Sequence, residues 1–217
     1  TYPVRFESER DYQFAVTNMT TALAASAVWF NSEFHKESFL EGLVAFLKKM
    51  PDYNSLEVVK RIRAKSSVHP PGISDLPRPE RAGAGPLHIL WVARWEHDKN
   101  PEDLFDALKI LKSSGSVFRL SVIGQSFRDK PVVFDQARQY FAEHVCHLGY
   151  QQTRVEYERV LGQADVVVST ARHEFFGIGI VEAITAGAYP LLPNRLSYPE
   201  ILGLGRVGGV ERYFYDG

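Results

Sequence analysis

The chain has 217 residues, of which 45% are hydrophobic, enough for the core of one large globular domain or two small ones. Its formal net charge of −1 excludes a global attraction to nucleic acid or membrane, so contact with a polyanion would require a local cluster of cations. Cys146 is the only cysteine, which excludes an intrachain disulfide and fits a reducing compartment.

The sequence has no apolar stretch of the roughly 20 residues needed to cross a bilayer, and no secretory signal opens it. We therefore expect a soluble, cytoplasmic protein that does not bind membranes. The chain begins without methionine and stops just after a strand-like aromatic run at 212–215. We expect it to be a piece of a longer enzyme.

Residues 1–72 are predicted to form a largely helical region. Its elements are, in chain order, a helix within 8–26, a strand at 27–30, a helix at 33–50 and a basic helix at about 55–65. Ser8 and Asp11 are spaced like a capping box for the first helix. Ser32 can cap the second helix, and Pro51 ends it.

A Pro/Gly-rich segment at 73–85 is the predicted linker to a second region, 86–217. In that region we predict strands at 87–93, 118–124, 145–150, 165–171 and 188–193, and helices at 101–115, 132–144, 154–164 and 179–187. Regular alternation of helices with continuous apolar strands predicts an α/β, Rossmann-like lobe, in which a parallel sheet is covered on both faces.

Two glutamates, Glu174 and Glu182, flank the turn between the strand at 165–171 and the next helix. Ligands of open parallel sheets bind at the carboxyl ends of strands, opposite helix N-termini. Gly177 and Gly179 would let a ligand approach the backbone amides. Two acceptor carboxylates beside amide donors suit a ligand with many hydroxyls, such as a sugar and a ribose.

The alternative interpretation of the two glutamates is a helix N-terminus with favourable acidic residues and an ordinary surface Glu182. Phe175 and Phe176 weigh against it, because two aromatic side chains are awkward in an exposed loop unless they pack beneath a site.

Arg94 and Lys99 follow the first strand of the second region. A guanidinium and an ammonium at that edge of the sheet suit a diphosphate, since charge-assisted hydrogen bonds contribute about 1.5–3 kcal/mol each. The alternative is a solvated loop in which Arg94 pairs with Glu96 or Asp98. Both groups lie at the same edge of the predicted sheet, where the cations could bind phosphates and the carboxylates could bind hydroxyls. A nucleotide sugar has both.

These residues carry a resemblance to a known family. "HEFFGIGIVEA" is similar to the E-x7-E motif of retaining glycosyltransferases with the GT-B fold, of the family 4 type, and "ARWEHDK" stands where those enzymes bind diphosphate. The runs "RWEHDKNPEDLF", "YPLLPNRLSYPEIL" and "ERDYQF…VWFNSEFHKESFL" more narrowly resemble the tRNA-queuosine alpha-mannosyltransferase family. The resemblance covers essentially the whole chain.

The resemblance implies a fold and an activity. Residues 86–217 would be the C-terminal donor lobe of a GT-B fold, and residues 1–72 the last part of its N-terminal acceptor lobe. The enzyme would transfer mannose from GDP-mannose to queuosine in tRNA with retained configuration, by same-face attack with the donor phosphate as base. Because a GT-B site forms between two lobes, we expect this chain alone to bind donor without transferring sugar.

The resemblance also implies roles for individual residues. Arg94 and Lys99 would bind the pyrophosphate and stabilise the leaving diphosphate. Glu174 would contact the sugar hydroxyls, and Glu182 the ribose hydroxyls. The remaining donor contacts would be the amides around Phe176, Gly177 and Ile178 for the sugar, Gly124 for close approach of the nucleotide, and Gly149 and Tyr150 near the base.

Other clusters are open to more than one interpretation. Lys60, Arg61, Arg63 and Lys65 form a local basic run that is either a phosphate-tracking patch for tRNA or a solvated helix face. His144, Cys146 and His147 run into a strand, where neighbouring residues point to opposite faces, so we expect core packing and no metal site. His97 and His173, beside the predicted donor residues, are left open between donor contact and structural support.

Three other functions compete with a tRNA-specific sugar transferase. A transferase acting on a lipid or glycan would use the same donor lobe. A nucleotide-sugar epimerase would have the same architecture. A binding module would bind the nucleotide sugar without catalysis. An NAD-linked oxidoreductase is disfavoured, because the unit that starts at residue 87 lacks the G-x-G-x-x-G run that a dinucleotide fold needs.

Overall fold

The computed structural model describes residues 12–50, 55–76 and 85–216. The chain divides into two compact units, Thr1–Pro71 and Gly72–Gly217. Ser8, Asp11, Pro51 and most of the predicted linker lie outside the described residues, so the capping box, the helix stop and the linker stay predictions.

The described part of the first unit contains helices and a short pair of parallel strands. Its elements are α1 (Tyr12–Ala24), β1 (Val28–Phe30), α2 (Glu33–Leu47), α3 (Glu57–Arg63) and β2 (Ser66–Val68). The Ser32 hydroxyl oxygen accepts the His35 amide at 3.0 Å, so this residue caps α2 as predicted. Strand β2, which pairs with β1, was not predicted, because three residues with two serines carry no strand pattern.

The second unit contains every strand and helix predicted for it, most of them with shorter bounds. Its elements are β3 (Leu87–Val92), α4 (Pro101–Ser113), β4 (Phe118–Ile123), α5 (Val133–Tyr140), β5 (Val145–Gly149), α6 (Arg154–Gln163), β6 (Val166–Val168), α7 (Ile178–Thr185), β7 (Tyr189–Pro193), α8 (Tyr198–Leu202) and β8 (Phe214–Tyr215). The short helix α8 was not predicted, because five residues show no clear period, whereas β8 lies within the strand-like aromatic run at 212–215.

The strands of the second unit form one parallel sheet in the order β5-β4-β3-β6-β7-β8. The chain winds in one direction from β3 to β5 and then returns to place β6 on the other side of β3. Ligands of doubly wound sheets bind at such a reversal point, at the carboxyl ends of the two central strands. The loops that follow β3 and β6 therefore flank the expected ligand crevice.

Two hydrophobic cores lie on opposite faces of this sheet. On one face Leu90 and Val167 pack with buried residues of α6 and α7. On the other face Trp91 packs with buried residues of α4 and α5, including Phe105 and Phe134. Successive strand residues point to opposite faces, which is why the strands read as continuous apolar runs. The predicted α/β class and the coverage of both faces are confirmed.

Gly124, which follows β4, lies where two backbone segments meet. Its φ is +151°, and a Cβ atom at this position would lie 1.7 Å from the carbonyl oxygen of Ala93. The loops after β3 and β4 could not approach each other this closely with any side chain at Gly124. The chain's own packing therefore requires the glycine, independently of any nucleotide.

Of the cluster His144, Cys146 and His147, His144 packs against a neighbouring aromatic ring. The His144 ring stacks on Phe118 with 4.3 Å between ring centroids, and its Nδ1 is 2.9 Å from the Phe118 carbonyl oxygen. Cys146 is exposed. Over 12–50, 55–76 and 85–216, no group of three or more His, Cys, Asp or Glu side chains could hold a metal ion. None of the helices in those ranges has the length and apolar character to cross a bilayer.

We predict that Gly124→Ala lowers the free energy of unfolding by about 3 kcal/mol, because the new methyl group must displace the Ala93 carbonyl. Urea titration followed by tryptophan fluorescence would measure this, since Trp91 and Trp95 lie in the same unit. The matched control is Gly115→Ala: Gly115 also has a positive φ, +79°, but open space around it. We expect a cost of about 1 kcal/mol there. Equal costs for the two variants would contradict the prediction.

Candidate functional site

The loops after β3 and β6 are joined by backbone hydrogen bonds. The Asp98 carbonyl oxygen accepts the amides of Arg172 at 2.9 Å and His173 at 3.3 Å. The Thr170 hydroxyl donates to the Lys99 carbonyl oxygen at 2.9 Å. These bonds explain why β6 ends at Val168, three residues before the predicted strand end: the chain leaves the sheet to bond with the neighbouring loop.

Lys99 is the buried cation of this junction, with 5% of its surface exposed. Its ammonium donates to the His173 carbonyl oxygen at 2.6 Å and lies 3.3 Å from Glu174 Oε2 and 3.2 Å from Asp98 Oδ2. The local chain positions it through a single 3₁₀ turn, His97–Lys99, closed by Asn100 in a left-handed conformation that asparagine tolerates. The predicted cation and the first predicted glutamate thus lie together.

Glu174 is held on both oxygens. Oε2 faces Lys99, while Oε1 accepts the amides of Phe175 at 3.0 Å and Phe176 at 3.3 Å. Gly177 then turns the chain with φ +81° into α7, as an N-cap without a side-chain hydrogen bond. The Phe176 amide, predicted to serve a sugar, is engaged by Glu174. In the first turn of α7 the Ile180 amide donates to the Gly177 carbonyl oxygen at 3.0 Å, whereas the Ile178 amide stands ahead of the first helical hydrogen bond.

Glu182 is buried, with 6% of its surface exposed, so the interpretation as an ordinary surface residue is wrong. Its Oε2 accepts the Tyr157 hydroxyl at 2.6 Å, and its Oε1 lies 2.8 Å from the Arg154 guanidinium. Both partners come from α6, which follows β5. The carboxylate is therefore fixed from the side of the neighbouring helix before any ligand binds.

Arg94 pairs with Glu96, which is the alternative considered in the sequence analysis. Its guanidinium holds Glu96 with two contacts of 3.1 Å, and the residue is exposed at the carboxyl end of β3. A guanidinium has five N–H donors, so this pair leaves donors for a further anion. Tyr150, predicted to lie near the base, is 61% exposed after β5, at the same edge of the sheet.

His173 takes part in packing around Lys99. Its ring lies edge-on to Phe175 with 4.6 Å between centroids, and its Nδ1 is 3.8 Å from Asp98 Oδ2. Burial, with a smaller effect of the Lys99 charge, lowers the pKa of His173 below its ordinary value. The neutral imidazole is therefore favoured, and it adds no positive charge to the crevice.

The basic run of the first unit is largely occupied by partners within that unit. Arg63 forms a bidentate pair with Glu37, with contacts of 2.5 and 2.7 Å. The Lys65 ammonium donates to the carbonyl oxygens of Leu23 and Ala25. Lys60, at 3.1 Å from Glu57, and Arg61 are exposed. These contacts weigh against a phosphate-tracking patch that uses all four cations, and the choice between the two interpretations stays open.

Several residues of the site were missed by sequence reasoning: Asp98, Arg154, Tyr157 and Thr170. Arg154 and Tyr157 begin the helix that follows a strand, and helix N-termini after strands lie at the ligand edge of such a sheet. That placement was available from the sequence. The bond to Glu182, however, joins residues 25 positions apart and needs the tertiary structure.

The fold defines the class of protein. The chain is similar to a sucrose-phosphate synthase from Thermosynechococcus elongatus, with a TM-score of 0.64 and 18% identity over 92% of this chain and 48% of that one. This is the architecture of GT-B glycosyltransferases. The family described as glycosyl transferases group 1 matches residues 74–211, and the N-terminal family of tRNA-queuosine alpha-mannosyltransferase matches residues 1–73. The chain belongs to the group 1 glycosyltransferases.

Two curated relatives are similar in sequence. The tRNA-queuosine alpha-mannosyltransferase of Drosophila melanogaster is 35% identical over 211 residues, which are 92% of this chain and 56% of the relative. A GDP-mannose:cellobiosyl-diphosphopolyprenol alpha-mannosyltransferase of Komagataeibacter xylinus is 27% identical over 124 residues, 55% of this chain and 31% of that protein. This chain thus spans about half, or less, of the relatives it matches.

We predict that Lys99→Met lowers the free energy of unfolding by about 3 kcal/mol, because it leaves Asp98 and Glu174 without their buried cation. Urea titration would measure the change. The matched control is Lys109→Met, since Lys109 forms an exposed pair with Asp106 on α4, and we expect less than about 1 kcal/mol there. A Lys99 variant as stable as the Lys109 variant would refute the central role of this ammonium.

Proposed function

We propose that this chain provides the donor-binding part of a retaining glycosyltransferase that transfers mannose from GDP-mannose to queuosine in tRNA. The observation that carries the donor part is the contact of Lys99 with Glu174 between the loops at the reversal point of the sheet, with Glu182 on the helix that follows the second loop. The acceptor part is supported by the match of residues 1–73 to the N-terminal family of tRNA-queuosine alpha-mannosyltransferase.

In this proposal the cations bind the donor diphosphate. Arg94 keeps guanidinium donors beyond those used by Glu96, and it lies exposed at the end of β3. The Lys99 ammonium has three acceptors in the free chain. A phosphate oxygen would replace one of them, and the positive charge would then oppose the negative charge that develops on the leaving diphosphate.

The carboxylates bind hydroxyls of the same donor. Glu174 would accept hydrogen bonds from the transferred sugar, and Glu182 from the ribose, since each carboxylate keeps free lone pairs beside those already used. Gly177 and Ile178 would present first-turn amides of α7 to the sugar, and Tyr150 would lie near the base. Gly124 would act indirectly, by bringing two loops together beneath the nucleotide.

The reaction would proceed on one face of the sugar. The bond between the anomeric carbon and the diphosphate oxygen breaks, and a hydroxyl oxygen of the acceptor bonds to that carbon from the same side. The acceptor proton passes to a donor phosphate oxygen, so configuration is retained without a protein nucleophile. The residues of this chain would hold the donor and stabilise its leaving group.

A second acceptor class is favoured by one comparison. The relative from Komagataeibacter xylinus is named for a lipid-linked cellobiosyl acceptor and for GDP-mannose as donor. Its similarity is confined to about half of this chain and supports the same donor with a different acceptor. We rank tRNA first, because the Drosophila relative is similar over 92% of this chain.

We predict that the 217-residue chain binds GDP and GDP-mannose, which isothermal titration calorimetry would detect at millimolar ligand or below. Arg94→Ala should weaken binding about tenfold, because it removes charge-assisted contacts to the diphosphate. Arg138→Ala is the control, since Arg138 is an exposed arginine on α5, and it should bind like the unsubstituted chain. Absence of heat with both ligands would argue against the donor assignment.

We predict that cells lacking the gene lose hexosylated queuosine from their tRNA and retain unmodified queuosine. Mass spectrometry of tRNA nucleosides would measure both. Reintroducing the gene with Arg138→Ala should restore the hexosylated nucleoside, whereas Arg94→Ala should restore less of it. Unchanged hexosylated queuosine in the deletion strain would contradict the tRNA acceptor, and a change in lipid-linked mannosides instead would favour the second acceptor class.

A further inference from the structure

The contacts of Glu182 with α6 determine how its carboxylate is oriented. Tyr157 donates its hydroxyl to Oε2 at 2.6 Å, and Arg154 approaches Oε1 at 2.8 Å. A buried carboxylate without partners is strongly unfavourable. Here each oxygen receives one hydrogen bond and keeps lone-pair capacity for another.

Tyr157 is suited to the role of a fixed donor. Burial and the neighbouring Glu182 charge raise the pKa of Tyr157 well above its ordinary value, so the phenol keeps its proton. Arg154 is itself held by Glu158 at 2.7 Å, one turn along α6, and its guanidinium lies over the Tyr157 ring, 5.2 Å from the centroid. The three side chains therefore form one rigid group around Glu182.

This group lies at the ligand edge of the sheet. A Cβ atom on Gly179, in the first turn of α7, would lie 3.0 Å from Val92 Cγ2 and 3.4 Å from the Tyr157 hydroxyl. Val92 is the last residue of β3, beside the reversal point. The hydroxyl that orients Glu182 is therefore packed between the end of the central strand and the start of α7.

We propose that Tyr157 and Arg154 are positioning residues that orient the Glu182 carboxylate for the ribose diol of the nucleotide. The inference rests on the proposed donor-binding function and adds two residues to it. A carboxylate free to rotate would lose side-chain entropy on binding a diol, whereas one held on both oxygens is already in place. The preference for a ribose with both hydroxyls should then depend on Tyr157, which need not touch the ligand.

The test is a double-mutant cycle in which one hydroxyl is removed from the protein and one from the ligand, and the Kd values are compared. The Kd values of GDP, 2′-deoxy-GDP and 3′-deoxy-GDP are measured by calorimetry for the unsubstituted chain, for Tyr157→Phe and for Tyr140→Phe. Tyr140 is the matched control, because it is a half-exposed tyrosine at the end of α5. Thermal melting of each variant shows whether the fold is retained.

We expect the unsubstituted chain and Tyr140→Phe to bind GDP about tenfold more tightly than at least one deoxy analogue, as for a hydrogen bond to a charged acceptor. In Tyr157→Phe this ratio should fall to about threefold or less, with GDP weakened more than the analogue. Arg154→Gln should reduce the ratio in the same direction; an unchanged ratio would remove Arg154 from the proposal.

If Tyr157→Phe weakens the binding of GDP and both analogues by the same factor, or does not weaken it, the ratio is unchanged. Tyr157 would then not orient Glu182, and the inference would be overturned. Equal Kd values of GDP and both deoxy analogues in the unsubstituted chain would also overturn it, since Glu182 would then not bind the ribose hydroxyls. If the unsubstituted chain does not bind GDP at all, the proposed donor itself fails. The two failures are thus distinguishable.

Discussion

The ammonium group of Lys99 joins the two loops on which the candidate site depends. It donates to the His173 carbonyl oxygen and lies between the carboxylates of Asp98 and Glu174. The same loops are bonded through the Asp98 and Lys99 carbonyl oxygens. A buried charge is tolerated only when it is paired and hydrogen-bonded, so neither loop can take its position without the other. The doubly wound sheet supplies the proximity, because β3 and β6 are neighbours.

Both glutamates of the E-x7-E motif accept hydrogen bonds from within the chain. Glu174 accepts two amides of its own loop, and Glu182 is held from α6. Seven residues separate them, and the turn at Gly177 places Glu174 ahead of α7 and Glu182 in the second turn of that helix. Sites held in this way lose little entropy when a ligand binds. The spacing of the motif follows from one left-handed residue, Gly177, followed by a helix.

The basic run at residues 60–65 is weaker support for RNA binding than the count of its charges suggests. Arg63 is bonded to Glu37, and Lys65 is bonded to two carbonyl oxygens at the C-terminal end of α1. The proposal of a tRNA acceptor therefore depends on similarity to the queuosine mannosyltransferases and not on electrostatics. The donor proposal is different, because it depends on contacts observed among the described residues of a single unit.

The sequence by itself determined the α/β class, the order of strands and helices in the second unit, the Ser32 cap and the edge on which Glu174 and Lys99 lie. Those features depend on local periodicity and on one topological rule. Tertiary structure decided which side chains meet: Lys99 with Glu174, Arg94 with Glu96, and Glu182 with Tyr157. It also revealed β2, a strand too short to show a pattern. Contacts between distant residues are set by packing, which no local pattern encodes.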